Sequence, residues 1–156
     1  MPIETSLDIM RKVGTVDTLV VRLDDKGVGN AIGDLNDFYS KFSGILLATT
    51  VDGFIFTNYT PDQVYAVYRF GATTTVVGGA AAAVQLVHCA QSVAIASGTA
   101  QLTAALDLTV TAPAKLPGTL IATPTEILPG DSLGLDMSGT LTGLVGAWTL
   151  FIKRKR

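Results

Sequence analysis

The sequence predicts an all-β chain, an antiparallel β-sandwich of which a jelly roll is one form, with a less regular N-terminal region that has room for one short helix. Three observations carry this. Short segments rich in β-branched and aromatic residues recur, separated at short intervals by Gly, Pro, Asp and Ser clusters. Two segments alternate cleanly: Leu106, Leu108 and Val110 against Asp107, Thr109 and Thr111, and Leu133, Leu135 and Met137 against Ser132, Gly134, Asp136 and Ser138. Only one stretch, residues 32–42, repeats apolar residues at helical spacing.

Taken in order, residues 1–17 are mixed and polar without a clear period and read as an extended arm. Residues 18–23 read as a strand with Leu19, Val21 and Leu23 on one face. Asp24, Asp25, Gly27, Gly29, Asn30 and Gly33 then favour irregular backbone. The helical stretch follows, with Ile32, Leu35, Phe38 or Tyr39, and Phe42 in step, and Gly44 placed to end it. Residues 45–51 and 54–59 are strand-like. Asp52-Gly53 between them suits a type I′ turn, so a hairpin is expected there. Thr60-Pro61-Asp62 interrupts the chain. Beyond it, strands are expected at 64–70, 82–90, 106–111, 119–127, 132–138 and 144–153, a series that fits a sandwich, jelly roll or barrel. Organisation is expected as an N-terminal arm and strand-hairpin region, 1–63, and a β-sandwich domain, 64–156, or as one continuous domain.

Two strands are apolar on both faces. Leu144, Trp148, Leu150 and Ile152 oppose Val145, Ala147 and Phe151, and the segment around Tyr65, Ala66, Val67 and Tyr68 is similar. A sandwich strand normally shows one face to water, so the second face is expected to be covered by the N-terminal segment or a neighbouring subunit. Composition agrees: apolar residues make up 48% and charged residues 15% of the chain, where about a quarter charged is usual. Fifteen charged residues lie in 1–70, five in 71–152 and four at the end. A surface so poor in charge favours burial against a partner or against copies of itself.

The net charge of −2 argues against a nucleic-acid binder, which needs a basic face. Cys89 is the single cysteine, so no intrachain disulfide can form, which fits cytoplasmic synthesis. The first residues lack the apolar core of a signal peptide. The longest apolar stretch, 76–90, contains Gly78, Gly79, Gln85 and His88 and is too short to span a bilayer, so no membrane association is expected.

From residue 64 onward the chain resembles the trimeric β-sandwich decoration (cement) proteins that stud the heads of tailed phages. The resemblance rests on Ser97-Gly98-Thr99-Ala100, on Leu106-Asp107-Leu108, on the run from Leu128-Pro129-Gly130-Asp131 to Asp136, on Ser138-Gly139-Thr140-Leu141-Thr142-Gly143-Leu144, and on a closing apolar strand ending in Lys153-Arg154. It implies a capsid decoration protein that stabilises the head, with the major capsid protein and itself, as a homotrimer, for partners. The implied location is the outer surface of the virion, after synthesis in the host cytoplasm. Linking three weak footprints about a threefold axis raises avidity by ~10²–10⁴. Residues 1–63 hold most of the charge and are the expected capsid-anchoring element. Rival readings are another virion part, such as a tail-tube or head-fibre subunit, and a carbohydrate-binding β-sandwich module.

No catalytic, cofactor-binding or metal site is expected, and the chain is not read as an enzyme. His88 and Cys89 are neighbours on a strand and point to opposite faces, so they do not make a nucleophile pair, and one of each is too few ligands for zinc. No Gly-x-Ser-x-Gly elbow precedes His88. Asp131 and Asp136 are the nearest candidates for paired carboxylates, though Asp131 sits in an ordinary Gly-Asp turn. Asp24, Asp25, Gly27, Gly29, Asn30, Asp34, Asn36 and Asp37 offer oxygen ligands for calcium without EF-hand spacing, and read first as a solvated turn. The glycines 27, 29 and 33 miss the dinucleotide fingerprint by one residue. Residues 76–83 read as a tight hairpin of small residues, or else as a contact on a threefold axis. Lys153-Arg154-Lys155-Arg156 reads as a solvated basic tail. Of Phe54, Phe56, Tyr59, Tyr65, Tyr68 and Trp148, most are expected in the core.

Overall fold

The β-branched and alternating segments fold as antiparallel strands in the computed structural model, which describes residues 7–13, 16–23 and 39–155. The chain divides into two compact units, Met1–Phe38 and Tyr39–Arg156. In the first, β1 (Leu7–Val13) pairs antiparallel with β2 (Val16–Leu23), from Leu7 opposite Leu23 to Val13 opposite Val16, with a register shift between Ile9 and Met10. Residues 7–13, expected within an extended arm, form a paired strand, and the strand expected at 18–23 is the greater part of β2.

The second unit runs β3 (Tyr39–Leu47), β4 (Gly53–Thr57), β5 (Tyr65–Val76), β6 (Ala83–Cys89), a single 3-10 turn (Ile95–Ser97), β7 (Thr99–Ala100), β8 (Leu106–Asp107), β9 (Ala114–Pro117), β10 (Ser132–Ser138) and β11 (Val145–Arg154). One sheet has the order β3-β11-β5-β9. The other has the order β4-β10-β6-β7, with β8 also on β6. The two sheets pack together as an all-β sandwich. Residues 39–57, expected with the N-terminal arm, supply a strand to each sheet.

The period-two pattern of the strands explains the core. Leu46, Val67, Phe70, Ala72, Trp148, Leu150 and Ile152 of the first sheet meet Val84, Leu86, Leu133 and Leu135 of the second, and Leu102, Leu108, Ile127 and Leu144 close the ends. Each such aliphatic or aromatic side chain contributes ~1.5–3 kcal/mol on full burial. Trp148 fits because Gly44 is its cross-strand partner on β3. A Cβ at Gly44 would lie 2.6 Å from the indole Nε1, so only glycine leaves the ring its place.

Several expectations fail for identifiable reasons. The helix expected at 32–42 gives way at Tyr39–Phe42 to β3, whose strand ladder with β11 overrides the local period; residues 32–38 lie outside the described residues. The Asp52-Gly53 hairpin does not form, since β3 and β4 belong to different sheets. The turn comes earlier, where the Thr50 hydroxyl accepts the Leu47 N–H at 2.7 Å, and the Asp52 carboxylate instead accepts the Met137 N–H of β10 at 2.7 Å. Residues 77–82 likewise cross between sheets, from β5 to β6, and form no hairpin. Their small side chains serve a close approach within the chain: a Cβ on Gly139 (φ +73°) would lie 2.0 Å from the Ala81 carbonyl oxygen.

The strand expected at 106–111 stops at Asp107, because its Oδ1 accepts both the N–H and the hydroxyl of Thr109 and turns the chain. The stretch 119–127 forms only isolated bridges, Leu102 with Leu120 and Tyr65 with Ile127. There the Gln101 side chain accepts the Thr125 N–H and takes the place of a neighbouring strand. The expected strands at 132–138 and 144–153 are β10 and, within one residue at each end, β11.

Candidate interaction surface

Cross-strand partners share a face of the sheet, so the registers of β3, β11, β5 and β9 define the outer surface of the first sheet row by row. Leu47, Val145 and Val76 form one end. Ile45, Ala147, Thr73 and Lys115 form the next row, followed by Ser43, Thr149, Gly71 and Pro117. Lys41, Phe151 and Arg69 come next, and Tyr39, Lys153 and Ala66 close the other end. A sheet face turned to water is usually polar. Here Ile45 is 69% exposed, and Val76, Leu47 and Val145 are also exposed. The doubly apolar reading of 144–153 therefore holds, and side chains on the second face are exposed.

The other end of the same face is aromatic and cationic. β5 carries an extra residue, Tyr68, opposite the Phe151–Ile152 step of β11. This bulge turns both Tyr68 and Arg69 outward. The Tyr68 and Tyr39 rings lie 4.2 Å apart, and Lys153 Nζ sits 5.8 Å from the Tyr39 ring centroid. Strands β3, β5, β9 and β11 contain Lys41, Arg69, Lys115, Lys153 and Arg154 and no acidic residue. Strands β4, β6, β7, β8 and β10 contain Asp107 and Asp136 and no lysine or arginine. The sandwich thus segregates its strand charges by sheet. A shallow groove of about 560 Å³ runs over Gly71, Thr73 and Thr149, with Arg69, Phe151, Lys115 and Pro117 around it.

The aromatic residues divide differently from expectation. Phe56 and Tyr65 pack on the core and Trp148 is buried, but Phe54, Tyr59 and Tyr68 are exposed. Tyr59 lies in the connection after β4, and Tyr68 is turned out by the bulge.

The sequence-selected polar residues hold the second sheet and its loops together. His88 faces the sandwich interior and its Nε2 lies 2.9 Å from Asp131 Oδ2, both residues being buried. Asp131 Oδ2 also accepts the Leu128 N–H at 3.0 Å, and the Asp131 carbonyl accepts the Asn58 N–H at 2.9 Å. Asn58, itself buried, donates to the carbonyls of Gln63 and Ile127. This pairing escaped sequence reading because 43 residues separate His88 from Asp131. No serine, threonine or cysteine side chain bonds to the imidazole among the described residues.

Cys89 points away from His88, under Gly98, with Sγ 3.8 Å from the Ala94 carbonyl oxygen. Burial, and next the negative charge of Asp136, push its thiol pKa up. Asp131 and Asp136 are not brought together: Asp131 caps the interior end of β10 and Asp136 lies on its outer side, over Gln85. The Asp-rich loop weighed for calcium lies outside the described residues, and no cluster of His, Cys, Asp and Glu able to hold a metal occurs among those described. Lys153 and Arg154 belong to β11, and Lys155 is tied to the sandwich through its N–H to the Val64 carbonyl and an ion pair with Glu126 at 3.6 Å. The basic residues up to Lys155 are therefore not a free tail.

Comparison with family models, with curated proteins and with solved structures gave no match.

Proposed function

We propose that this chain is a capsid decoration protein that stabilises a phage head by binding the shell of its major capsid protein, as a homotrimer on the outer surface. The observation that carries the reading is the open apolar end of the β3-β11-β5-β9 face, where Ile45, Leu47, Val76 and Val145 stand beside one another. Contiguous apolar surface of this kind marks a protein contact. A rigid sandwich with one flat adhesive face suits attachment at repeated, symmetry-related sites, where linked copies gain avidity.

The test is cryo-electron microscopy of heads from the phage that encodes the chain, together with native mass measurement of the purified protein. Density for the sandwich on the outside of the shell and a trimeric mass are the expected results. Hexameric rings would point to a tail tube instead, and bare heads in the presence of excess protein would remove the reading.

A further inference from the structure

We propose that the groove over Gly71 and Thr149 binds an acidic, extended polypeptide segment of the protein on which this chain docks, with Arg69 and Lys115 receiving its carboxylates. The inference rests on the docking reading above and names the chemistry of the partner. Three observations meet in the groove. Arg69 and Lys115 flank it, and Lys41 lies in register with Arg69 across Phe151. None of these three cations pairs with a carboxylate among the described residues, and the four strands of the sheet contain no acid. A face whose strands carry unpaired cations and no acidic residue of their own selects a partner of opposite sign and disfavours a second copy in the same orientation.

The shape suits a polypeptide. Small residues, Gly71, Thr73 and Thr149, make the floor, so a backbone can approach it closely. An arginine side chain can hold a carboxylate through two parallel hydrogen bonds. Beyond Lys115 the face continues through Ile45, in the same row, to an end row of Leu47, Val145 and Val76 that offers aliphatic contact and no cation. A nucleic-acid backbone would leave that end unused, whereas an acidic segment on an apolar protein surface engages both ends.

The experiment titrates the full chain against a fluorescein-labelled peptide alternating Asp and Val, by fluorescence anisotropy at low and high salt. A peptide with Lys in place of Asp and an oligothymidylate of equal charge serve as comparisons. Binding of the acidic peptide that weakens with salt is expected. It should fall about tenfold in the Arg69→Glu, Lys115→Glu double variant and less in Arg69→Gln, Lys115→Gln. Asp62→Asn, on an exposed loop, should leave it unchanged.

No binding by the wild-type chain, equal binding by the charge-reversed variant at an unchanged melting temperature, or tighter binding of oligothymidylate through the same residues would each overturn the proposal. Head occupancy separates the two readings. Heads decorated equally by wild-type and charge-reversed chains retain the docking function and remove the groove's part in it. Heads bare of both, with the acidic peptide still bound, remove the capsid and leave the groove as a site for acidic segments.

Discussion

Thr74 is buried, and its hydroxyl has no hydrogen-bond partner. Its backbone belongs in β5, where a β-branched residue suits the pleat, but the oxygen gains nothing there to offset its lost hydration. Thr74→Val keeps the shape and removes the oxygen, so a gain of about 1 kcal/mol is expected in chemical denaturation, with a higher Tm. A lower Tm would show that the hydroxyl is satisfied. Two other side chains illustrate how local chemistry sets charge. The Asp107 carboxyl is held below its usual range by the Thr109 hydroxyl and then by the Thr109 N–H. Any stability it contributes is present above the ordinary aspartate range and fades as pH falls through the lowered value. Cys89 is held in its thiol form by burial and by Asp136, which keeps it a packing residue.

The loop 128–131 joins the cross-sheet connection to β10 and depends on one carboxylate. Asp131 serves His88 Nε2 and the Leu128 N–H together, while its carbonyl fixes Asn58 at the end of β4. Asp131→Ala leaves the buried His88 imidazole and the part-buried Leu128 N–H without their partner, so a loss of roughly 1–3 kcal/mol is expected, most of it from the buried imidazole. Urea denaturation measures it, and a change within the ~0.5 kcal/mol typical of surface sites would mean that the network is idle.

Sequence pattern made some elements plain and hid others. Residues 132–138 alternate without interruption, and the strand is found at those bounds. Asp52-Gly53 is locally a good turn, but local preference carries no information about which strand lies beside it, and β3 and β4 find partners 75 or more residues away. The apolar end of the outer face was legible in Val145 and Ala147. The cationic end was not, since the bulge at Tyr68 breaks the alternation that would have placed Arg69 beside Lys41.

At the scale of the molecule, the open face sets how the chain behaves in solution. Ile45 and Val145 lie in adjacent rows at its apolar end, away from Arg69 and Lys153. Self-association that strengthens with concentration is expected in sedimentation velocity. Ile45→Lys with Val145→Lys should reduce it without a large fall in Tm, because Ile45 is mostly in water and Val145 is partly exposed already. Association unaffected by the pair would move the contact to another surface.

The order of strands has a consequence for synthesis. β11 follows β3 and β5 in the chain and lies between them in the sheet, and those two share no ladder with each other. Until β11 has emerged from the ribosome, β3 and β5 lack the template that unites them, and Leu46, Val67 and Phe70 have no Trp148, Leu150 or Ile152 to cover them. The nascent polypeptide therefore keeps these greasy segments uncovered until β11 has been made, and closure of the sandwich depends on slow, distant pairings.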